Sequence, residues 1–305
     1  MKKKILITGS NGMLGSRLIK RLIVTTDYYI IAVVGSEEKY QSLLEEIQAI
    51  DVDKIECLMI DEFFETNLGD LYAAIHLAFS RRNRSTADIA ESIDFSAKVF
   101  KKLAKSNVQR VINVSSQGIY GDTNEIRTEK TVPAPVTLYT MAKYATEKIF
   151  DICFNETNME HTNIRLDLVI QSQNLVPALC KQATDGRIYL KGGKQRFSFI
   201  DADDVTEALI AMLDSSSNWE AAYNVGWNEK RYTLLEVAEV VADVAVQLGY
   251  DRPEILLETQ DINLWSGMNS KKFTNHTGWK PTIDLTDMVK RIFQTILWEK
   301  KYVKN

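Results

Sequence analysis

Cysteine is scarce. Cys57, Cys153 and Cys180 are the only three in 305 residues, and an odd, scattered set forms neither a disulfide framework nor a Cys-x-x-Cys metal motif. A reducing cytoplasm is the expected setting. Histidine is as sparse, with His76, His161 and His276 too dispersed to suggest a metal site. Positive charge is not in surplus: 37 lysines and arginines stand against 41 acids, a net charge of −4. No long like-charge run offers a footprint for nucleic acid or an interaction tail. No stretch approaches the roughly 18 apolar residues of a membrane span. Met1-Lys-Lys-Lys4 could pass for the start of a secretion signal, but Ile5 to Thr8 is only a strand's length and runs straight into glycines. No metal, nucleic-acid partner or membrane partner is expected.

What remains is an ordinary globular composition, 45% apolar and 26% charged. The length suits one medium domain with a lobe, or two domains. Lys4 to Thr8 reads as a short buried strand, followed by Gly9-Ser-Asn-Gly12-Met-Leu-Gly15 and the amphipathic run Ser16 to Val24. Gly9 permits a tight turn, Gly12 lets backbone approach a pyrophosphate, and Gly15 allows close packing of helix on strand. The spacing is GxxGxxG and not the commoner GxGxxG, so a purely structural glycine turn stays open.

A second strand, Tyr28 to Val34, ends at Gly35-Ser36 before a helical stretch from Glu37 to Ile50. An NAD site would place an acid near that strand end, bonded to the adenosine ribose. Glu37 and Glu38 come slightly late and suit the first turn of a helix. No arginine sits there to grip a 2′-phosphate, although Ser36, Lys39 and Arg17 are candidates to lie close. The choice between NAD and NADP is open, with the missing acid tilting it towards NADP.

Lys54 to Ile60 reads as a third strand ending in Asp61-Glu62, where Asp61 can meet an adenine edge or begin a turn. Leu71 to Leu77 is a fourth, leading to Ala78-Phe79 and a basic cluster, Ser80-Arg-Arg-Asn-Arg84, read as a solvated loop rather than a phosphate grip. After the helical stretch Thr86 to Lys105, a fifth strand, Val108 to Val114, delivers Ser115-Ser116-Gln-Gly-Ile-Tyr120-Gly121. Strands alternating with helices predict a parallel sheet covered on both faces. Ligands in such sheets lie over the carboxyl ends of the strands, where the glycine turn, Asp61, Ala78 and Ser116 would collect.

Thr131-Val-Pro-Ala-Pro135-Val-Thr137 then feeds a helix carrying Tyr139-Thr-Met-Ala-Lys143. Residues at i and i+4 share a helical face. A lysine there favours the ionised form of a tyrosine whose free pKa is about 10, as an alcohol-to-ketone oxidoreductase requires. Taken alone, such a pair is far more often an aromatic contact beside a solvated lysine. The second half reads as helix over Asp203 to Leu213, Thr233 to Leu248 and Leu285 to Trp298, with strand-like Tyr223 to Val225 and Ile255 to Leu257.

Together these motifs resemble an extended short-chain dehydrogenase/reductase of the NAD-dependent epimerase/dehydratase family, whose members mostly act on nucleotide sugars. The matching residues are Thr8, Gly9, Gly12 and Gly15; Asp61; His76, Leu77 and Ala78; Ser115, Ser116, Tyr120 and Gly121; and Tyr139 with Lys143. The resemblance continues through Arg165, Arg196 to Ile200 with Asp204-Val205, Tyr223 to Gly226, Lys271 to Phe273, and Gly278 to Pro281.

The resemblance implies a Rossmann-type doubly wound α/β fold over residues 1–171, rejoined by 197–225, with 172–305 mainly a substrate-binding lobe. It seats NAD or NADP along Gly9, Asn11, Gly12, Met13, Leu14 and Gly15, beside Ser36, Asp61, Glu62, Leu77 and Ala78, and near Val114, Leu166 and Val169. It makes Tyr139 the acid/base, Lys143 the ribose-binding partner and Ser116 the hydroxyl that orients substrate, with Gln117 and Arg196 as further substrate contacts. Arg187, Lys191, Lys194 and Arg196 fall where the family binds substrate diphosphate, while Trp227 and Trp265 can stack or pack. A homodimer through the helices at Thr86 to Lys105 and Thr137 to Phe154 is also implied.

Two departures qualify this. Where many relatives read Arg-Pro and end in glycine after the sixth strand, this chain has Arg165-Leu-Asp-Leu-Val-Ile-Gln171. Sugar-nucleotide 4,6-dehydratases resemble one another in an acidic pair after the catalytic hydroxyl, yet Gln117-Gly118 stand here and cannot deliver a proton for elimination. The expected activity is a nucleotide-sugar 4-epimerase. An NADPH-dependent 4-ketoreductase and a non-catalytic dinucleotide sensor are the alternatives.

Overall fold

The computed structural model describes residues 2–47, 52–80 and 84–302. The end of the Glu37 to Ile50 stretch, and Arg81, Arg82 and Asn83 of the basic cluster, lie outside the described residues. Strand β1 (Lys4–Thr8) shows why a sheet must form. Ile5 and Ile7 point to one layer and Leu6 to the opposite one, all fully buried, because successive strand side chains face opposite sides. An apolar run without polar alternation is stable only with both faces covered.

The first half alternates strand and helix: α1 (Met13–Thr25), β2 (Tyr29–Val34), α2 (Glu37–Ile47), β3 (Ile55–Met59), α3 (Ile60–Glu65), β4 (Asp70–His76), α4 (Thr86–Leu103), β5 (Asn107–Ser116), α5 (Leu138–Phe154) and β6 (Glu160–Leu166). Beyond it lie α6 (Leu175–Thr184), β7 (Arg187–Lys191), α7 (Ala202–Asp214), β8 (Ala222–Val225), α8 (Leu234–Gln247), β9 (Glu254–Glu258), α9 (Lys271–Thr277) and α10 (Leu285–Tyr302). Seven strands form one parallel sheet in the order β8-β6-β5-β4-β1-β2-β3. The order reverses between β1 and β4, the crevice where open α/β sheets take their ligands.

One face of the sheet packs on α1, α2 and α7 through Leu18, Leu22, Leu43 and Leu209. The opposite face packs on α3, α4 and α5 through Phe63, Phe100, Phe150 and Phe154. Helix α7 and strand β8 therefore join the dinucleotide-type half, although they follow the first segment of the lobe. A second core is built from α6, α8, α10 and β7, with Leu179, Ile188, Val241 and Phe293 buried in it. Among the described residues no helix is long and apolar enough to cross a membrane.

Three of the boundaries that differ from the sequence reading bear on the crevice. The third strand stops at Met59, and Ile60 to Glu65 is helix α3. Its N-terminus is closed by the Glu62 carboxylate accepting from the Met59 N–H at 2.9 Å, an arrangement favoured by the helix dipole. β5 continues through Ser115 and Ser116 because these pair in register with Arg165 and Leu166 of β6. Helix α1 begins at Met13, three residues before the apolar periodicity declares itself.

The core packing carries a stability prediction. Phe154→Ala removes a fully buried ring and is expected to cost about 3–5 kcal/mol, whereas Val132→Ala, at a side chain 81% exposed, should stay within about 0.5 kcal/mol. Urea unfolding of the two variants measures the contrast.

Candidate active site

The glycine turn occupies the switch point. Gly9 has φ +71°, and a Cβ there would lie 2.7 Å from the Ala78 backbone nitrogen, so only glycine lets the two strand ends come together. Gly15 is pressed against the Gly9 carbonyl in the same way. Helix α1 starts at an exposed Gly12 with no side-chain cap and no acid in its first turn. Its leading N–H groups, those of Met13 and Leu14 among them, thus face the crevice without a side-chain acceptor and with the positive end of the helix dipole behind them. That environment fits a pyrophosphate. Asn11 lies half-buried in the turn, and Leu77 and Ala78 line its far side.

After β2, Ser36 follows an exposed Gly35 and its hydroxyl accepts from the Lys39 N–H at 3.3 Å, capping α2. Asp61 and Glu62 are exposed on the first turn of α3, and the Glu62 carboxylate is already engaged with Met59. Val114, Leu166 and Val169 are buried near the carboxyl ends of the central strands. His76 is an internal strut, bonded to Thr8 Oγ1 at 2.8 Å and Ser96 Oγ at 2.9 Å. Burial, then the Lys143 charge, lowers its pKa to about 3, so the imidazole is neutral.

Ser116 ends β5, and its Oγ accepts from the Gly118 N–H at 3.1 Å across a tight turn. Helix α5 abuts this turn: a Cβ on Gly118 would lie 2.6 Å from the Thr140 Cγ2 and 3.4 Å from the Ser116 Oγ. Tyr139 opens that helix half-buried, its ring meeting Phe79 edge-to-face at 5.9 Å. One turn on, the Lys143 amine donates to the Val114 carbonyl at 2.9 Å and sits 4.1 Å from the Phe79 ring centre. The Lys143 amine is thus fixed at the end of β5, and the Phe79 ring beside it also meets the ring of Tyr139. Burial pulls the Lys143 pKa down to about 7, partly offset by the nearby Glu147.

Two buried groupings escaped the sequence reading of roles. Glu147 accepts two bonds from Arg165, at 3.0 and 2.7 Å, and the same guanidinium donates to the Tyr120 hydroxyl at 2.8 Å. That hydroxyl donates onward to Asn224 of β8 at 2.7 Å. The spacing Lys143 to Glu147, one helical turn, was the only hint of it. The other grouping holds the side chain of Gln117, which is buried and donates to Asp167 Oδ1 at 2.6 Å. Asp167, also buried, has its pKa raised to about 6 by desolvation, against the bonds from Ser198 and Leu168 and the charges of Arg127 and Arg231. Arg196 lies exposed on a short strand, Arg196–Phe197, paired antiparallel with Tyr232–Thr233, and its backbone bonds to Leu264 and Ser266. Arg187 and Lys191 face Glu254 and Glu258 on neighbouring strand β9.

A doubly wound parallel sheet with a glycine turn at its switch point is the fold of an extended short-chain dehydrogenase/reductase. The sequence matches the model of the NAD dependent epimerase/dehydratase family over residues 5–226, and the chain belongs to that family. Among curated relatives, a putative UDP-glucose 4-epimerase of Methanocaldococcus jannaschii is 22% identical over 311 residues, covering 94% of this chain and 96% of that one. Two solved structures share the fold. The UDP-glucuronic acid 4-epimerase from Bacillus cereus, in complex with UDP-glucuronic acid and NAD, has a TM-score of 0.79 at 16% identity, over 97% of this chain and 99% of that one. The dTDP-glucose 4,6-dehydratase from Bacillus anthracis, in complex with NAD, has a TM-score of 0.78 at 19% identity, over 98% and 97%.

The depressed lysine predicts a pH dependence. With a folded pKa of about 7 against an ordinary 10.5, the unfolded chain holds more protons between those values, so this group makes stability rise with pH across that window. Lys143→Met removes that contribution. The melting temperature of the variant relative to the unsubstituted chain is expected to be most favourable below about pH 7 and to decline towards about pH 10; a difference that is flat with pH would contradict the assignment.

Proposed function

We propose that the protein is a nucleotide-sugar 4-epimerase that uses a nicotinamide dinucleotide, NAD or NADP, held by residues 1–171 and 197–225, with the sugar nucleotide held mainly by 172–305. The observation that carries this reading is the Lys143 amine bonded to Val114 at the end of β5, on the same helical face as Tyr139 and two residues from Ser116. Gly9, Gly12, Met13, Leu14 and Gly15 would hold the pyrophosphate on the α1 N-terminus, with Asn11, Leu77 and Ala78 beside it and Ser36, Asp61 and Glu62 towards the adenosine. Val114, Leu166 and Val169 would flank the nicotinamide. Bound there, the dinucleotide supplies the acceptor and donor of hydride.

Tyr139 takes the proton from a sugar hydroxyl at carbon 4 and returns it after the keto sugar has presented its other face. Ser116 holds the reacting oxygen in line. Lys143, near its own pKa at neutrality, gives the phenol a cation whose proton exchanges readily, and can reach the ribose from the base of the site. Arg196 is the exposed cation offered to the substrate diphosphate. The curated relative named a UDP-glucose 4-epimerase supports the reaction class. Elimination of water is disfavoured, because Gln117 and Gly118 carry no acid and the Gln117 amide is held by Asp167.

A 4-ketoreductase reading draws on one specific feature, the absence of an acid at Gly35-Ser36, which weakens the grip on NAD expected of an epimerase. A dinucleotide sensor would have no use for Ser116, Tyr139 and Lys143 together. The released dinucleotide of the purified protein should be identified, and a panel of nucleotide sugars assayed with NAD and with NADPH. Tyr139→Phe is expected to lower turnover by about 10²–10⁴-fold with dinucleotide binding intact. Consumption of NADPH with a 4-keto sugar, by protein that copurifies without dinucleotide, replaces the epimerase with the reductase. An unchanged biological role for Tyr139→Phe favours the sensor.

A homodimer is part of the same reading. Leu138, Met141 and Ile152 of α5 are 47%, 50% and 76% exposed, apolar surface on one of the two helices expected to pair with a second copy. Ile152→Asp is expected to shift the protein from dimer to monomer in sedimentation. A monomer before substitution refutes the assembly.

A further inference from the structure

We propose that Gln117 and Asp167 form a positioning clamp that sets the direction of the Ser116 hydroxyl. The inference rests on the proposed role of Ser116. Gln117 directly follows that serine and is 3% exposed. Its Nε2 donates to Asp167 Oδ1 at 2.6 Å, while its Oε1 accepts from the Gly267 N–H at 3.0 Å and from Arg127 at 3.4 Å. A flipped amide would set its NH2 against two donors and its carbonyl against a carboxylate, so a single orientation is allowed. Asp167 is held as firmly. Its Oδ1 also accepts from the Leu168 N–H at 3.0 Å, and its Oδ2 accepts from the Ser198 hydroxyl. Gly226 keeps the space for that carboxylate, since a Cβ there would lie 2.7 Å from Oδ2.

Arg127 ties in the lobe. The guanidinium donates to the Gly121 and Trp265 carbonyls at 2.6 and 2.7 Å, and it is buried close enough to Asp167 for their charges to interact. The turn after β5, the end of β6 and the 265–267 segment are thus fastened to one another through Gln117. That turn is also what orients Ser116, whose Oγ accepts from Gly118 two residues on. A buried amide and carboxylate would be replaceable by apolar groups if filling space were their only task. Their arrangement instead fixes the peptide that carries the serine, and misplacements of about 1 Å at such a group can cost about 10²-fold in rate.

The test removes the acceptor and then supplies it in neutral form. Asp167→Leu is close in size and leaves the Gln117 NH2 without its acceptor; it is expected to lower kcat by about 10–100-fold with KM and dinucleotide retention little changed. Asp167→Asn can keep its amide oxygen towards Gln117 and Leu168 while its NH2 donates to the Ser198 hydroxyl. This conservative variant is expected to hold kcat within about threefold of the unsubstituted protein. The Gly118 amide, followed by NMR shift and hydrogen exchange, reports the Ser116 hydroxyl without any assay: its signal should move in Asp167→Leu and stay in Asp167→Asn. If Asp167→Leu does not fold, Ser198→Ala, which removes one bond to the same carboxylate, should shift the Gly118 amide. Asp167→Leu with unaltered kcat and Gly118 amide, or a folded Asp167→Asn that disturbs both as much as Asp167→Leu, overturns the clamp. Turnover absent from the unsubstituted protein refutes the oxidoreductase reading instead, and the Gly118 amide then decides the clamp alone.

Discussion

The buried ion pair between Arg165 and Glu147 is the constraint on which the site depends. Both side chains are removed from water, where an unpaired charge costs several kcal/mol, so helix α5 must sit where its glutamate meets the β6 arginine in a two-point contact. That requirement leaves the helix little freedom to slide or rotate. Lys143, one turn earlier on the same helix, is thereby delivered to the end of β5 with its amine on the Val114 carbonyl. The Glu147 charge also keeps that amine from losing its proton more readily still. Through Tyr120 and Asn224 the same arginine reaches β8, so the segment that returns from the lobe is anchored to helix α5.

The other half of the site is governed by sterics more than by charge. Gly9 and Gly15 bring the ends of β1, α1 and β4 closer than any side chain would permit, and the consequence is an α1 N-terminus with no cap of its own. Leaving those amides without a side-chain partner lowers the stability of the free helix end and raises its affinity for an anion. The chain accepts a small local cost in stability at the point where the sheet reverses direction.

Between the two halves runs a seam of buried polar groups: Gln117, Arg127, Asp167 and Ser198. Apolar residues could fill this volume, but they would not hold the loop after β5 in one orientation relative to the lobe. The same seam accommodates Asp167, because the carboxylate has an amide, a hydroxyl and a cation waiting for it.

Much of this could be read in advance. Apolar runs such as Ile5 to Ile7 and Ile30 to Val34, punctuated by glycines and amphipathic stretches, determine a parallel sheet with helices on both faces, since no other arrangement buries both sides of each strand. The glycine spacing and the Tyr139/Lys143 pair likewise follow from local periodicity, which the chain carries without help from its fold. Element ends were less legible: Ile60 looks like strand by composition, and only the cap made by Glu62 shows it to be helix. The partners of Gln117, Asp167, Glu147 and Arg165 could not be read at all. The bonds among them and to Arg127 and Gly267 span from 10 to 150 residues of sequence, and a polar side chain gives no sign along the chain of whether it will face water or a buried partner. That choice belongs to the tertiary structure, because desolvation is decided only when distant segments close over the group.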